Sequence, residues 1–281
     1  MERVRCASGT GSFEVSREGG RIVSLVPGPG IPDLLHSEPV SDALGGDRAW
    51  LSPELDLFYE DPTDLDSRVH PEELDPGTWA LDRSADVLNL QQRFKGAEMS
   101  RKIVPLEVPI APTSSSWAGY RVVDKAVTEQ RWSAWHIVMV PSPADIYVAA
   151  GDAVAYYSPA PEIKDGWIRS EDGPPRWKLG FHAPKNGSVF LAAVGDSDPG
   201  PVVILAADLP AEGNYVDRPP GGNVGTAAQV YSSGGDGFCE LEVHAPLESR
   251  SVESFVMGAW GTRDERLRLI ETIAVDQGGG R

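Results

Sequence analysis

Proline and glycine interrupt this chain so often that few stretches between them could hold a helix. There are 24 prolines and 30 glycines in 281 residues, and many of the short segments between them alternate polar and apolar residues, the period-two pattern of strands with one buried face. The repeated local unit is therefore strand, turn, strand. Residues 12–16 and 21–26 flank Gly19-Gly20, a turn in which two glycines accept positive φ without steric cost. A second hairpin is expected around Lys185-Asn186-Gly187, leading into an apolar strand over 188–194. A third joins 228–232 to 238–244 through Gly234-Gly235-Asp236-Gly237. Helical periodicity is confined to 264–275, where Leu267, Ile270 and Ala274 share a face. The pattern predicts an all-β chain, a large antiparallel β-sandwich with one late helix. The acidic, proline-rich run 61–76, DPTDLDSRVHPEELDP, reads as a long surface loop with one helical turn at 70–74. The tail Gly278-Gly279-Gly280 is expected to fray.

Large β-sandwiches reach this length as one unit, so residues 1–281 are expected to form a single domain. With 41% hydrophobic and 24% charged residues, the chain can bury a substantial core. Lysine and arginine number 25 against 42 acids, a net charge of −17 that repels nucleic acid and anionic membrane surfaces. No run approaches the roughly 18 apolar residues of a membrane span, and the first thirty residues lack the apolar core of a signal peptide, so a cytoplasmic location is expected. Cys6 and Cys239 are too few for a disulfide framework and read as reduced thiols. HExxH, P-loop, GxSxG and GxGxxG patterns are absent, and no cofactor is expected. His70 with Glu72, or the acidic strand described next, could bind a cation, but such mixtures are too common in acidic chains to assign a metal site. The sequence leaves the oligomeric state open.

The most informative strand is Phe238-Cys239-Glu240-Leu241-Glu242-Val243-His244. Side chains alternate across a sheet, so Cys239, Leu241 and Val243 face one way and Glu240, Glu242 and His244 the other, successive ionisable groups lying about 7 Å apart. Such a face meets either solvent or a site.

The stretch CELEVHAPLESRSVESFVMGAW resembles the C-terminal signature of the galactose mutarotase-like (aldose 1-epimerase-like) superfamily. Upstream, Leu44-Gly45-Gly46-Asp47-Arg48-Ala49-Trp50-Leu51-Ser52-Pro53-Glu54 resembles the GGxRxWxxPE element of its uncharacterised members. Arg131-Trp132-Ser133-Ala134-Trp135-His136-Ile137 and Trp177-Lys178-Leu179-Gly180 resemble middle elements, so the likeness spans roughly residues 12 to 260. It implies the superfamily's supersandwich fold and a small-molecule carbohydrate partner. It also implies sugar mutarotase chemistry, in which a glutamate takes the anomeric hydroxyl proton while a histidine protonates the ring oxygen.

Matched by position, Glu242 is the general base. His136 or His244 is the acid; His136 departs from the pattern, because the motif's histidine precedes an aromatic-Asn-Leu run that is missing here. Arg48 would orient substrate through its planar fork. Asp47, Trp50, Trp135, Lys178, Tyr231 and Glu240 complete the expected substrate-binding set, although alternation along RWKLGFHAP also lets Lys178 share a solvated face with Gly180 and His182. Trp50, Trp132, Trp135 and Trp177 could provide aromatic platforms for sugar C–H faces. Three functions remain open: an epimerase or mutarotase acting on an aldose or sugar acid, a lyase acting on an oxidised or acidic sugar, and a non-catalytic carbohydrate-binding module.

Overall fold

A computed structural model describes residues 2–39, 44–61, 64, 67–110, 113, 115–156, 160–171, 173 and 175–278. Its strands are β1 (Arg3–Ser8), β2 (Gly11–Ser16), β3 (Arg21–Val26), β4 (Asp47–Ser52), β5 (Ala80–Ser84), β6 (Val87–Phe94), β7 (Ala97–Pro105), β8 (Ser116–Val127), β9 (Ser133–Pro141), β10 (Ala144–Ala149), β11 (Ala153–Ala155), β12 (Trp167–Ser170), β13 (Trp177–Phe181), β14 (Ser188–Gly195), β15 (Gly200–Asp208), β16 (Ala228–Ser232), β17 (Phe238–His244) and β18 (Ser251–Gly261). They form two nine-stranded antiparallel sheets. The first runs β1-β2-β3-β4-β9-β17-β16-β13-β11 and the second β12-β10-β14-β15-β18-β8-β7-β6-β5.

The first and third hairpins form as the turn chemistry requires. β2 pairs with β3 across Gly19 and Gly20, whose φ angles are +70° and +57°, and β16 pairs with β17 from Ala228–Val243 to Ser232–Cys239. The second differs. Gly187 does make a turn, its N–H donating to the Pro184 carbonyl at 2.9 Å, but β14 leaves it to pair with β10 and β15 in the second sheet, whereas the preceding β13 belongs to the first. This turn therefore changes sheets. Local turn propensity is the same in either case; only the long-range pairing partners differ.

Two helices accompany the sheets: α1 (Glu54–Leu57), a single turn with no periodic signal, and α2 (Arg263–Gly278). α2 starts with a capping box: Glu265 Oε2 accepts from Thr262 N at 2.8 Å, and Thr262 Oγ1 accepts from Glu265 N at 3.3 Å. Its buried side is Arg266, Leu269, Ile270 and Ile273, packed on the outer face of β14, β15 and β18. Leu267 and Ala274 are only half-buried. Arg266 holds this face because its guanidinium reaches three backbone carbonyls where β14 turns into β15, those of Gly195, Ser197 and Pro201. Among the described residues, no helix is long and apolar enough to cross a membrane.

The 61–76 run is not wholly a surface loop, and its helical turn lies later than 70–74, as an irregular turn over Glu73–Gly77. Leu74 and Asp75 are buried there, and Asp75 accepts a buried hydrogen bond from Arg21. Residues 62, 63, 65 and 66 of that run, and 279–280 of the expected frayed tail, lie outside the described residues. Cys6 and Cys239 are buried free thiols, and burial pushes the Cys239 thiol up to about 12.

Between the sheets lies an apolar core crossed by one polar seam. Asp47 on β4 accepts hydrogen bonds from Arg101 Nη2 at 2.5 Å and Tyr120 Oη at 2.6 Å, both on the second sheet, and its Oδ2 lies 2.7 Å from His136 Nε2 on β9. Arg101 Nε also donates to Asp124 Oδ1 at 2.7 Å. All five side chains are buried. Burial alone would raise the Asp47 carboxyl; His136, Arg101 and Tyr120 instead carry it down to about 2. Burial likewise keeps the Tyr120 phenol well above its ordinary range, helped by Asp47.

Candidate active site

The GGDRAW element divides across the first sheet. Asp47, Ala49 and Leu51 point between the sheets, and Arg48, Trp50 and Ser52 point to the outer face. Cross-strand registry carries this face through the sheet: Arg48 opposes Ile137, Trp50 opposes Trp135, Ile137 opposes Glu242, Trp135 opposes His244, and Met139 opposes Glu240. On the far side Glu242 opposes Gln229, Glu240 opposes Tyr231, and Tyr231 opposes Lys178. Five strands thus bring Arg48, Trp50, Trp135, Glu240, Glu242, His244, Tyr231 and Lys178 to one surface. Gly46 sets the register: at φ +92°, any Cβ would come within 2.5 Å of the Ile22 carbonyl.

His136 and Asp47 are not brought there. They lie on the opposite face, bonded to each other in the polar seam, because adjacent residues of a strand point to opposite sides. His136 neighbours Trp135, and Asp47 neighbours Arg48. Trp177 likewise points inward with Leu179, and Trp132 packs near Phe94, their rings 6.1 Å apart.

The outer face is not solvated. Glu242 and His244 are fully buried, Lys178 is 2% exposed and Glu240 7%, so the solvated-face reading of Lys178 does not hold. α1, Phe58, Tyr156 and Asp217 make the cover. Asp217 Oδ1 accepts from the Glu54 backbone N–H at 2.5 Å, while its Oδ2 accepts from Tyr156 Oη at 3.0 Å and from Gln229 Nε2. This carboxylate ties α1 to the sheet. Glu54 then reaches inward, its Oε2 2.9 Å from Lys178 Nζ.

Lys178 Nζ lies 3.2 Å from Glu242 Oε2, which also accepts from Trp135 Nε1 at 2.9 Å. The other Glu242 oxygen, Oε1, has no hydrogen-bond partner among the described residues, nor has either ring nitrogen of His244. Burial, with Glu240 and Glu54 adding repulsion against the pull of Lys178, pushes the Glu242 carboxyl up to about 8. Burial, reinforced by Lys178, holds the His244 imidazole well below its ordinary range, so the ring is neutral. Arg48 donates to Glu240 Oε1 at 2.5 Å and contacts the Met139 sulfur. Half-buried Tyr231 borders this pair, its phenol raised to about 12 by burial and Glu240.

The indoles are already engaged by protein groups. Phe58 stacks on Trp50 at 4.4 Å with the Arg48 guanidinium 4.2 Å from the ring centre, and His244 stacks on Trp135 at 5.1 Å with Lys178 Nζ at 4.8 Å. They orient the charged groups and act less as open sugar platforms. Among the described residues, no group of three or more His, Cys, Asp or Glu side chains is arranged to hold a metal.

Sequence reasoning did not single out Glu54, Asp217, Tyr156 or Gln229. Glu54 closes the GGxRxWxxPE element, and that position was the one available signal. Asp217 sits in an irregular loop, where no periodicity marks it.

Two large antiparallel sheets, with ionisable side chains gathered on one outer face, make this a large antiparallel β-sandwich. No protein-family model and no curated protein matches the chain. Its similarity is to solved structures. A structural-genomics target from Synechocystis sp. PCC 6803 aligns with TM-score 0.59 at 11% identity over 93% of this chain and 96% of the other. A putative aldose 1-epimerase from Escherichia coli K12 aligns with TM-score 0.55 at 13% identity, covering 93% and 99%. A galactose mutarotase related enzyme from Lactobacillus acidophilus aligns with TM-score 0.55 at 7% identity, covering 94% and 99%. At these identities the fold is what is shared.

Proposed function

We propose that the protein is a carbohydrate-active isomerase, interconverting the anomers of an aldose or sugar acid with Glu242 as general base. One observation carries this reading: Glu242 is fully buried with one oxygen anchored by Trp135 and Lys178 and the other without a partner among the described residues, beside a histidine whose two ring nitrogens also have none among them. Buried polar atoms rarely go without partners. A concentration of them on one acidic, desolvated patch marks a functional site more readily than a stabilising one.

In the reaction, Glu242 Oε1 accepts the anomeric hydroxyl proton, the ring oxygen is protonated, and the ring opens to the aldehyde. Rotation about the bond to the carbonyl carbon and reclosure give the other anomer. A carboxyl pushed up to about 8 is a stronger base, once ionised, than an ordinary carboxylate. His244 offers hydrogen bonds to sugar hydroxyls, and Arg48 with Glu240 flanks the same surface. The names of the Escherichia and Lactobacillus neighbours point the same way, as analogy of fold.

The test is magnetisation-exchange NMR on anomerically pure D-glucose, D-galactose and D-glucuronate with wild type and Glu242→Gln. The expected result is faster anomer exchange for at least one sugar, lost by about 10²–10⁴-fold in the variant. Binding without acceleration would instead identify a non-catalytic carbohydrate-binding module. A product absorbing as an enone or enoate would identify a lyase, with the same base removing a carbon-bound proton.

A further inference from the structure

Ring opening needs a proton donor as well as a base, and the hemiacetal sets their separation. The hydroxyl that loses a proton and the ring oxygen that gains one are bonded to the same carbon, so donor and base must stand side by side.

Of the two histidines considered for this role, neither has both the position and an acidic proton. His136 lies behind the sheet with Nε2 directed at Asp47. His244 is on the correct face but neutral. Arg48 does not release a proton, and it is held by Glu240. The Tyr156 hydroxyl donates to Asp217 and lies 2.8 Å from Thr226 Oγ1.

Lys178 has the required geometry. Its Nζ is 3.2 Å from Glu242 Oε2 and 2.9 Å from Glu54 Oε2, and β13 delivers it to this face in register with Tyr231. We propose that Lys178 is the catalytic acid, its ammonium protonating the ring oxygen while the adjacent Glu242 takes the hydroxyl proton, and that Glu54, held through Asp217, is the residue that positions it. The assignment rests on the isomerase reading above.

The step balances without a further reagent. As the carbon–ring oxygen bond breaks, its electron pair takes the proton from Lys178, and the electron pair of the hydroxyl O–H bond forms the carbonyl as Glu242 takes that proton. On reclosure Lys178 amine recovers the proton from the ring hydroxyl, and Glu242 returns its proton to the carbonyl oxygen. Both residues end as they began. Once Glu242 is ionised, a cation and a carboxylate in contact suit this exchange, since neither charge has to cross the site.

The experiment compares wild type, Glu242→Gln, His244→Gln, Lys178→Arg, Lys178→Met and the double variant Glu54→Gln/Lys178→Met in the same anomer-exchange assay, with sugar affinity measured separately by tryptophan fluorescence. Arginine keeps the positive charge but cannot pass on a proton, and the double variant removes the Lys178–Glu54 pair whole, leaving Glu242 as the one buried carboxyl that loses its cation. The expected result is that all three Lys178 variants lose about 10²-fold or more in kcat with KM within about threefold. A Lys178→Arg enzyme within about threefold of wild type, or loss in His244→Gln with Lys178→Met active, overturns the assignment while Glu242 dependence keeps the isomerase reading. If wild type does not accelerate exchange for any sugar, the isomerase reading fails and the assignment fails with it.

Discussion

Replacing Asp47 by asparagine tests whether this residue belongs to the folding core or to the site it borders in sequence. The side chain is completely buried and receives Arg101 on Oδ1 and Tyr120 on Oδ2, with His136 Nε2 also against Oδ2. Asparagine preserves the shape but has one acceptor oxygen, so its amide nitrogen must face either the arginine or the tyrosine and histidine. Two routes give the magnitude. The carboxyl is carried from 3.8 to about 2 on folding, which is about 2.4 kcal/mol of preference for the ionised form. Breaking one partner of a buried ion pair typically costs about 3–5 kcal/mol, moderated here because Arg101 retains Asp124. A destabilisation of about 3 kcal/mol follows, or about 6–12 °C in Tm for a chain of this size. Because the folded value lies below the unfolded one, this stabilisation is complete above about pH 4 and disappears as pH falls through about 2. Urea unfolding at pH 7, 4 and 3, followed by tryptophan fluorescence, should show a wild-type advantage that narrows on acidification. A cost below about 1 kcal/mol at pH 7, or a gap that stays constant with pH, would show that the ionised Asp47 carboxylate does not hold the two sheets together.

Three other outcomes follow from the same geometry. Anomer exchange should rise with pH as Glu242 ionises, falling about tenfold per unit below about pH 8; a flat rate between pH 6 and 9 would exclude Glu242 as the base. Glu242→Gln should abolish exchange yet leave unfolding stability within about 1 kcal/mol of wild type near pH 4.5, where the folded-state carboxyl is uncharged and an amide mimics it. The raised value also means that the carboxyl destabilises the wild-type fold progressively as pH rises from about 4.5 toward 8, so the variant should gain relative to wild type over that interval. Gly46→Ala should cost about 1–3 kcal/mol in chemical denaturation, since the new Cβ meets the Ile22 carbonyl while Gly46 is pinned by its bonds to His36 and Met139; a neutral substitution would show that this turn can relax.

Much of the architecture can be read locally. Glycine pairs at turns, alternation along strands and one helical stretch identify the antiparallel sandwich and α2, because backbone sterics and period-two burial act over a few residues. The same alternation places Glu240, Glu242 and His244 on one face and separates Arg48 from Asp47. What it cannot supply is which face turns inward. Asp47 and His136 are ordinary site candidates until β7 and β8 are laid against them, and Lys178 is a plausible solvent-facing residue until α1 covers it. Sheet membership is equally non-local: the Asn186-Gly187 turn is present, but its flanking strands join different sheets. The Lys178 to Glu54 contact joins residues 124 positions apart, and the Asp217 to Glu54 bond joins residues 163 apart. Covalent neighbours determine the direction in which each side chain leaves its strand; burial, charge pairing and the shift of Glu242 arise only when distant segments remove water from around it.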